Sequence, residues 1–205
     1  MRLLILALSV LAGPALAQDA TLAKVSGPVS VLPQGAKRFS PAKGGEQLLY
    51  GDVVKVGKGG VAHLVLKDDR GAVLLREETL MTLQGTARNT RLAFDFGEFL
   101  VGLRQKLTKG ESFRVRTPAA VAAVRGTLFW GKSGKDDKVT TYAGFGHTIA
   151  VTAAGKTVVV EPGKKLTVAL NEAPSSPADS GIGLDYAKVF SIDGLQGLET
   201  LSEVK

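Results

Sequence analysis

Three features of the chain predict an all-β fold. Short segments alternate apolar and polar residues with a period of two, as in Phe113, Val115 and Thr117 set against Arg114 and Arg116. Turn signals such as Gly144-Phe145-Gly146, Ala154-Gly155-Lys156 and Pro162-Gly163 recur at intervals of about ten residues, the spacing of a sandwich, barrel or short solenoid. With 44% hydrophobic residues, 22% charged residues and 25 glycines in 205, the composition is globular and turn-rich. The expected architecture is a single β-sandwich or jelly-roll-like domain, with a short β-solenoid or β-roll as the alternative.

The chain opens on a targeting pattern. Arg2 supplies a positive end, residues 3–12 an apolar stretch too short to span a bilayer comfortably, and Ala15-Leu16-Ala17 a peptidase site, so residues 1–17 read as a signal peptide. The product is then periplasmic or secreted and begins at Gln18. Cysteine is absent, which removes disulfides, thiolate metal sites and a lipid-bearing cysteine from consideration. No later run of eighteen apolar residues occurs, so no membrane span is expected after cleavage.

The elements follow in order. Val25, Gly27, Val29 and Val31 share one face of a first strand interrupted by Gly27-Pro28. A loop at 33–45 precedes a strand at 51–56, and Lys58-Gly59-Gly60 reads as a hairpin turn into the strand that begins at Val61. Asp68-Asp69-Arg70-Gly71 reads as a turn whose aspartates bond their own backbone, since the oxygen ligands of a calcium loop are missing. Short apolar strands follow at 72–75 and 80–83, then Leu92, Phe94 and Phe96 alternate cleanly. Residues 98–107 are ambiguous, because Phe99, Leu103 and Leu107 fit a helix while Gly102 and the surroundings favour an irregular strand. Four more strands are expected at 139–143, 147–152, 157–160 and 165–170. The β-domain thus covers 18–170, and 171–205 reads as a linker and a weakly helical tail in which Leu195, Leu198 and Leu201 repeat every three residues.

The chain is organised around residues 113–130, where a strand meets a corner at Thr117-Pro118, a run of small apolar residues, and then Arg125-Gly126-Thr127. Thr117-Pro118-Ala119-Ala120 followed by Val124-Arg125-Gly126-Thr127 and Phe129 resembles the signature of the FecR domain. The upstream Gly51-Asp52-Val53-Val54 and the later Pro162-Gly163 turn fall in that family's order, over roughly residues 23–168. The resemblance implies an exported sensing domain. In FecR-like signal transducers such a domain follows a cytoplasmic segment that works on a sigma factor and a membrane helix. Direct action on a sigma factor is therefore not expected of this chain. Gly51, Asp52, Thr117, Pro118, Arg125, Gly126 and Thr127 are expected to be structural, with Asp52 a candidate partner for the Arg125 guanidinium.

No catalytic constellation is legible. His63 and His147 lack metal-ligand spacing, and no nucleophile elbow or phosphate loop is present, so neither enzyme activity nor a cofactor is expected. The net charge of +7 is dispersed rather than gathered into an aromatic-studded patch, and together with export this speaks against nucleic acid. The expected role is a protein-interaction, sensing or scaffolding module of the bacterial cell envelope that binds another envelope protein. Lys132, Lys135 and Lys138 are the candidate contact residues. The alternative is an envelope glycan or anionic polymer as ligand, which would be favoured by solvent-exposed Trp130 or Tyr142 beside a basic groove.

Overall fold

The computed structural model describes residues 18–124 and 128–181, and these form an all-β domain of two facing sheets. Sheet I runs in the order β4 (Glu46–Leu48), β1 (Ala20–Ser26), β6 (Val61–Leu66), β7 (Gly71–Leu75), the second half of β9 (Asn89–Leu103), β12 (Leu128–Ser133), β13 (Thr140–Gly144), β16 (Lys164–Val168) and β17 (Ala178–Asp179). Sheet II runs β3 (Ser40–Pro41), β2 (Val29–Leu32), β5 (Val53–Val56), β8 (Thr79–Thr86), the first half of β9, β10 (Ser112–Arg116), β11 (Val121–Val124), β14 (Ile149–Ala153) and β15 (Lys156–Val160). The pairing of β9 with β10 is parallel, and the other pairings are antiparallel.

Strand β9 belongs to both sheets, and its bend lies near Gly97. There φ is +118°, and an added Cβ would sit 2.2 Å from Thr79 Oγ1, so both conformation and space demand glycine. A bulge adds to the bend: Leu80 pairs with Phe96 and Met81 with Phe94, which leaves Asp95 of β9 as the extra residue. In the N-terminal half three crossings between sheets lie on this same side, at 27–28, 57–60 and 76–78, while the passage from β4 to β5 at 49–52 lies at the other end of the strands. Adjacent crossings are laced together: Gly57 N donates to Pro28 O (2.8 Å) and Arg76 N to Glu98 O (3.0 Å). After β9 the crossings move to the opposite side, at 145–148 and 161–163, where Phe145 N donates to Leu128 O and Gly163 N to Gly144 O. Two bent meanders thus share one strand, and loop 104–111 closes the side away from Gly97.

Lys58-Gly59-Gly60 is consequently not a hairpin turn. Strand β5 pairs with β2 and β8, whereas β6 pairs with β1 and β7, so the glycines carry the chain from one sheet to the other. Residues 98–103 are strand and not helix, because they complete β9 against β7 and β12. The segment after 170 is fastened to the edge of sheet I through β17 and through Ser175 N, which donates to Thr167 O (3.0 Å). The segments read as signal peptide and helical tail lie outside the described residues.

One apolar cluster fills the space between the sheets, with Leu64, Val101 and Phe129 from sheet I against Met81, Leu92 and Val151 from sheet II. Phe94 and Phe99 stack at 3.9 Å between ring centroids across the bend of β9, and Phe129 meets Phe99 edge-on at 6.2 Å. Gly97→Ala is therefore expected to cost about 1–3 kcal/mol of unfolding free energy in urea titrations, through strain and overpacking. Gly44→Ala, whose Cβ would meet only Ala23 O at 3.5 Å, should stay within roughly 0.5 kcal/mol of the parent.

Candidate functional site

The sequence motifs fall at points where the two sheets are tied together. Asp52 is buried at the start of β5, and its two carboxylate oxygens accept from Gln34 N (2.8 Å) and Leu49 N (2.9 Å). Gly51 N donates to Leu83 O and Leu83 N to Asp52 O, which fixes the chain leaving β4 to β8. Gly51 adopts φ +104° with the Gln34 side chain packed where a Cβ would stand. Both oxygens of the residue expected to meet Arg125 thus have backbone partners of their own. Arg125, Gly126 and Thr127 lie outside the described residues.

Thr117 is a buried hub. Its backbone N donates to Ala120 O (2.9 Å) and its Oγ1 accepts from Ala120 N (3.2 Å), closing the turn that begins at Pro118. The Thr140 hydroxyl donates to the same oxygen at 2.9 Å, and the Tyr142 hydroxyl lies 3.1 Å away. Ser133 and Thr140 are linked at 3.1 Å, so the polar chain joins a turn of sheet II to β12 and β13 of sheet I. Burial pushes the Tyr142 phenol well above its ordinary range, and the Thr117 hydrogen bond opposes this only in part. Pro118 is exposed and holds the corner.

The lysines of the expected contact loop are brought to one cleft only in part. Lys132 points outward from β12 with its Nζ 3.6 Å from Glu98 Oε2, and Lys135 Nζ lies 5.3 Å over the Phe96 ring. Glu98 also accepts the Trp130 indole N–H (3.1 Å) and faces Arg76 Nε at 3.8 Å. Lys138 sits in the turn itself, at φ +54°, where Gly134 N donates to Val139 O. Glu77, Glu78 and Asp136 line the same cleft, which makes it a mixed-charge surface rather than a basic one.

A more uniform charged surface lies on the outer face of sheet II. The parallel register sets Arg114 directly beside Arg91 and Arg116 beside Ala93. Among the described residues, none of these three arginines has a carboxylate partner. Like charges placed side by side on a sheet are destabilising by themselves. Ala123 and Val121 continue the face on β11, followed by Ala150 and Thr152 on β14, so the guanidinium groups stand beside a low, small-residue floor. The alternation of Arg114 and Arg116 is visible in the sequence; their juxtaposition with Arg91 depends on a parallel pairing that no local pattern announces.

The histidines remain apart. His63 is buried on the outward side of β6, with its Nδ1 lacking a partner, while His147 is exposed in the 145–148 crossing. Burial, and secondarily Lys24, hold the His63 pKa below its ordinary value. Among the described residues, no group of three metal-capable side chains comes together. The Asp68-Asp69 turn is tied down by the Asp69–Arg104 ion pair and by Gln105 Nε2, which donates to Asp68 O (2.9 Å). Trp130 and Tyr142, the aromatics that would have marked a glycan site, are both buried.

The motif residues thus define an all-β domain whose two sheets are tied together at Asp52 and Thr117. Residues 52–145 match the family described as FecR protein, a span that runs from the buried Asp52 to the crossing after β13. Two crystal structures of a candidate anti-sigma factor from Parabacteroides distasonis share the fold. Both are 18% identical and cover 67% of this chain, with TM-scores of 0.57 and 0.58. This chain spans 64% of the length of those structures. No curated protein matches the chain.

Thr117→Val is expected to lose about 2–4 kcal/mol in chemical denaturation, because it strands the Ala120 amide and the Tyr142 hydroxyl in the core. Tyr142→Phe, which removes one end of the network, should cost closer to 1 kcal/mol. The depressed His63 pKa makes the unfolded chain the better proton binder below about pH 6.5. Stability should therefore fall as pH drops from 7.5 to 5.5, and His63→Leu should flatten that slope in pH-dependent urea titrations.

Proposed function

We propose that this chain is an exported, non-catalytic interaction module of the bacterial cell envelope that engages an acidic surface on a partner protein through the outer face of sheet II. The observation that carries the reading is the row formed by Arg91, Arg114 and Arg116, adjacent in register and without carboxylate partners among the described residues. Arginine forks match carboxylate geometry and lose little freedom on binding, so such a row on a rigid sheet suits a protein surface bearing Asp and Glu. The match to the FecR family supports a sensing role, and the likeness in fold to a candidate anti-sigma factor supports a place in signalling. The signal-peptide pattern of residues 1–17 supports a role on the exported side. Lys132 and Lys135 contribute at most a rim, since Glu98 and Phe96 already engage them.

An anionic envelope polymer is the second reading, favoured by the same guanidinium groups and weakened by the burial of Trp130 and Tyr142. Crosslinking and recovery of the tagged mature protein from its own envelope tests both. A defined protein partner, bound at least roughly tenfold more weakly by Arg91→Glu/Arg114→Glu/Arg116→Glu, is the expected result. Recovery of glycan or lipid material alone, with binding that weakens steeply in salt, would replace the protein partner with the polymer. Undiminished partner binding by the triple variant would remove sheet II from the account.

A further inference from the structure

The outer face of sheet I differs from that of sheet II. The outward residues at its centre are apolar, with His63 and the Glu98–Lys132 pair at their edge: Leu74 beside Leu100, Leu100 beside Trp130, Trp130 beside Ala143, and Leu128 beside Gly102, each pair in register. They form a cluster separate from the core between the sheets. The outward side of a solvated sheet leaves alternate residues accessible, as Arg114, Arg116 and Thr152 are on sheet II. Leu100, by contrast, is 2% exposed, Trp130 8%, and His63 beside Leu74 only 3%. Something shields this face across β6, β7, β9, β12 and β13. The described side chains packed against it are Val61 and Phe145, which stand at its margins and are themselves only partly buried.

We propose that the C-terminal segment, residues 182–205, docks across the outer face of sheet I over Leu74, Leu100, Leu128 and Trp130. Three observations support this occupant. The described chain ends beside the patch: β17 pairs with β16, and Ser180 N donates to Gly163 O (2.9 Å). Strand β12 lies three positions further in, about 14 Å away at roughly 4.8 Å per strand, and the remaining segment reaches more than twice that distance as a helix and more than four times when extended. Its sequence supplies the apolar side chains the patch would bury, namely Ile182, Leu184, Val189, Phe190, Leu195 and Leu198, with polar residues between them. The leader at 1–17 is the other apolar segment outside the described residues, and its removal on export would leave the tail as the intramolecular cover.

Trp130 is the only tryptophan in the chain, so intrinsic fluorescence reports on this face alone. The mature protein from Gln18 to Lys205 should show blue-shifted emission and weak acrylamide quenching. A chain ending at Gly181 should shift to the red and quench several-fold more strongly, while retaining its β circular dichroism. Should the shortened chain fail to fold, the full-length Phe190→Asp/Leu195→Asp variant gives the same readout with the backbone complete. Retained shielding of Trp130 in the truncated or doubly substituted protein would overturn the proposal. If that shielding then vanished on dilution, a second copy would be the cover; if Trp130 were shielded only in the unprocessed chain that keeps residues 1–17, the leader would be. Either outcome replaces the tail with another occupant.

Discussion

The membership of β9 in both sheets is the constraint on which the rest of the domain depends. Fifteen residues run as one strand, pairing with β8 and β10 in the first half and with β7 and β12 in the second. For the halves to lie in facing layers the strand must bend sharply without losing its ladder, and Gly97 pressed against Thr79 is where it does so. The Phe94–Phe99 stack then spans the inside of that bend and fills the core at the point where the sheets diverge. The N-terminal meander follows the same fold line, while the C-terminal one returns on the opposite side. The molecule is thus closed on both flanks by one shared element.

The two outer faces that this arrangement creates have unlike chemistry. Sheet II strands alternate, so their outward positions carry Arg91, Arg114, Arg116 and small or hydroxyl residues. At the centre of sheet I the alternation gives way to continuous apolar runs, Gly71–Leu75 and the end of β9 being buried at every position. A run without alternation is the signature of a strand covered on both faces. The proposed contact through sheet II and the proposed cover of sheet I both rest on this division.

Much of this was legible in the sequence, and what was not has a physical reason. The strands after 139 were placed to within a few residues, because their alternation and turn chemistry are local properties. The Thr117-Pro118 corner was legible too, although the hydroxyl network reaching Tyr142 and Ser133 was not, since it joins residues in different layers. Gly59-Gly60 read as a hairpin because a glycine pair reports a change of chain direction and not which strands lie beside it. Asp52 was seen as a residue awaiting a cation, whereas its oxygens cap the amides of Gln34 and Leu49, one of them eighteen positions away. The lysine loop stood out for its charge alone. The pairing of Lys132 with Glu98 and the alignment of Arg91 with Arg114 both come from pairing with β9.

Native-state hydrogen exchange tests the central role of β9 most directly. If one bent strand holds both sheets in a single cooperative unit, the amides of Leu92 and Phe94 in sheet II and those of Leu100 and Val101 in sheet I should exchange with the same free energy, equal to that of global unfolding. Two distinct opening energies separated at Gly97, with one half exchanging while the other stays protected, would show two independently stable sheets and contradict the account.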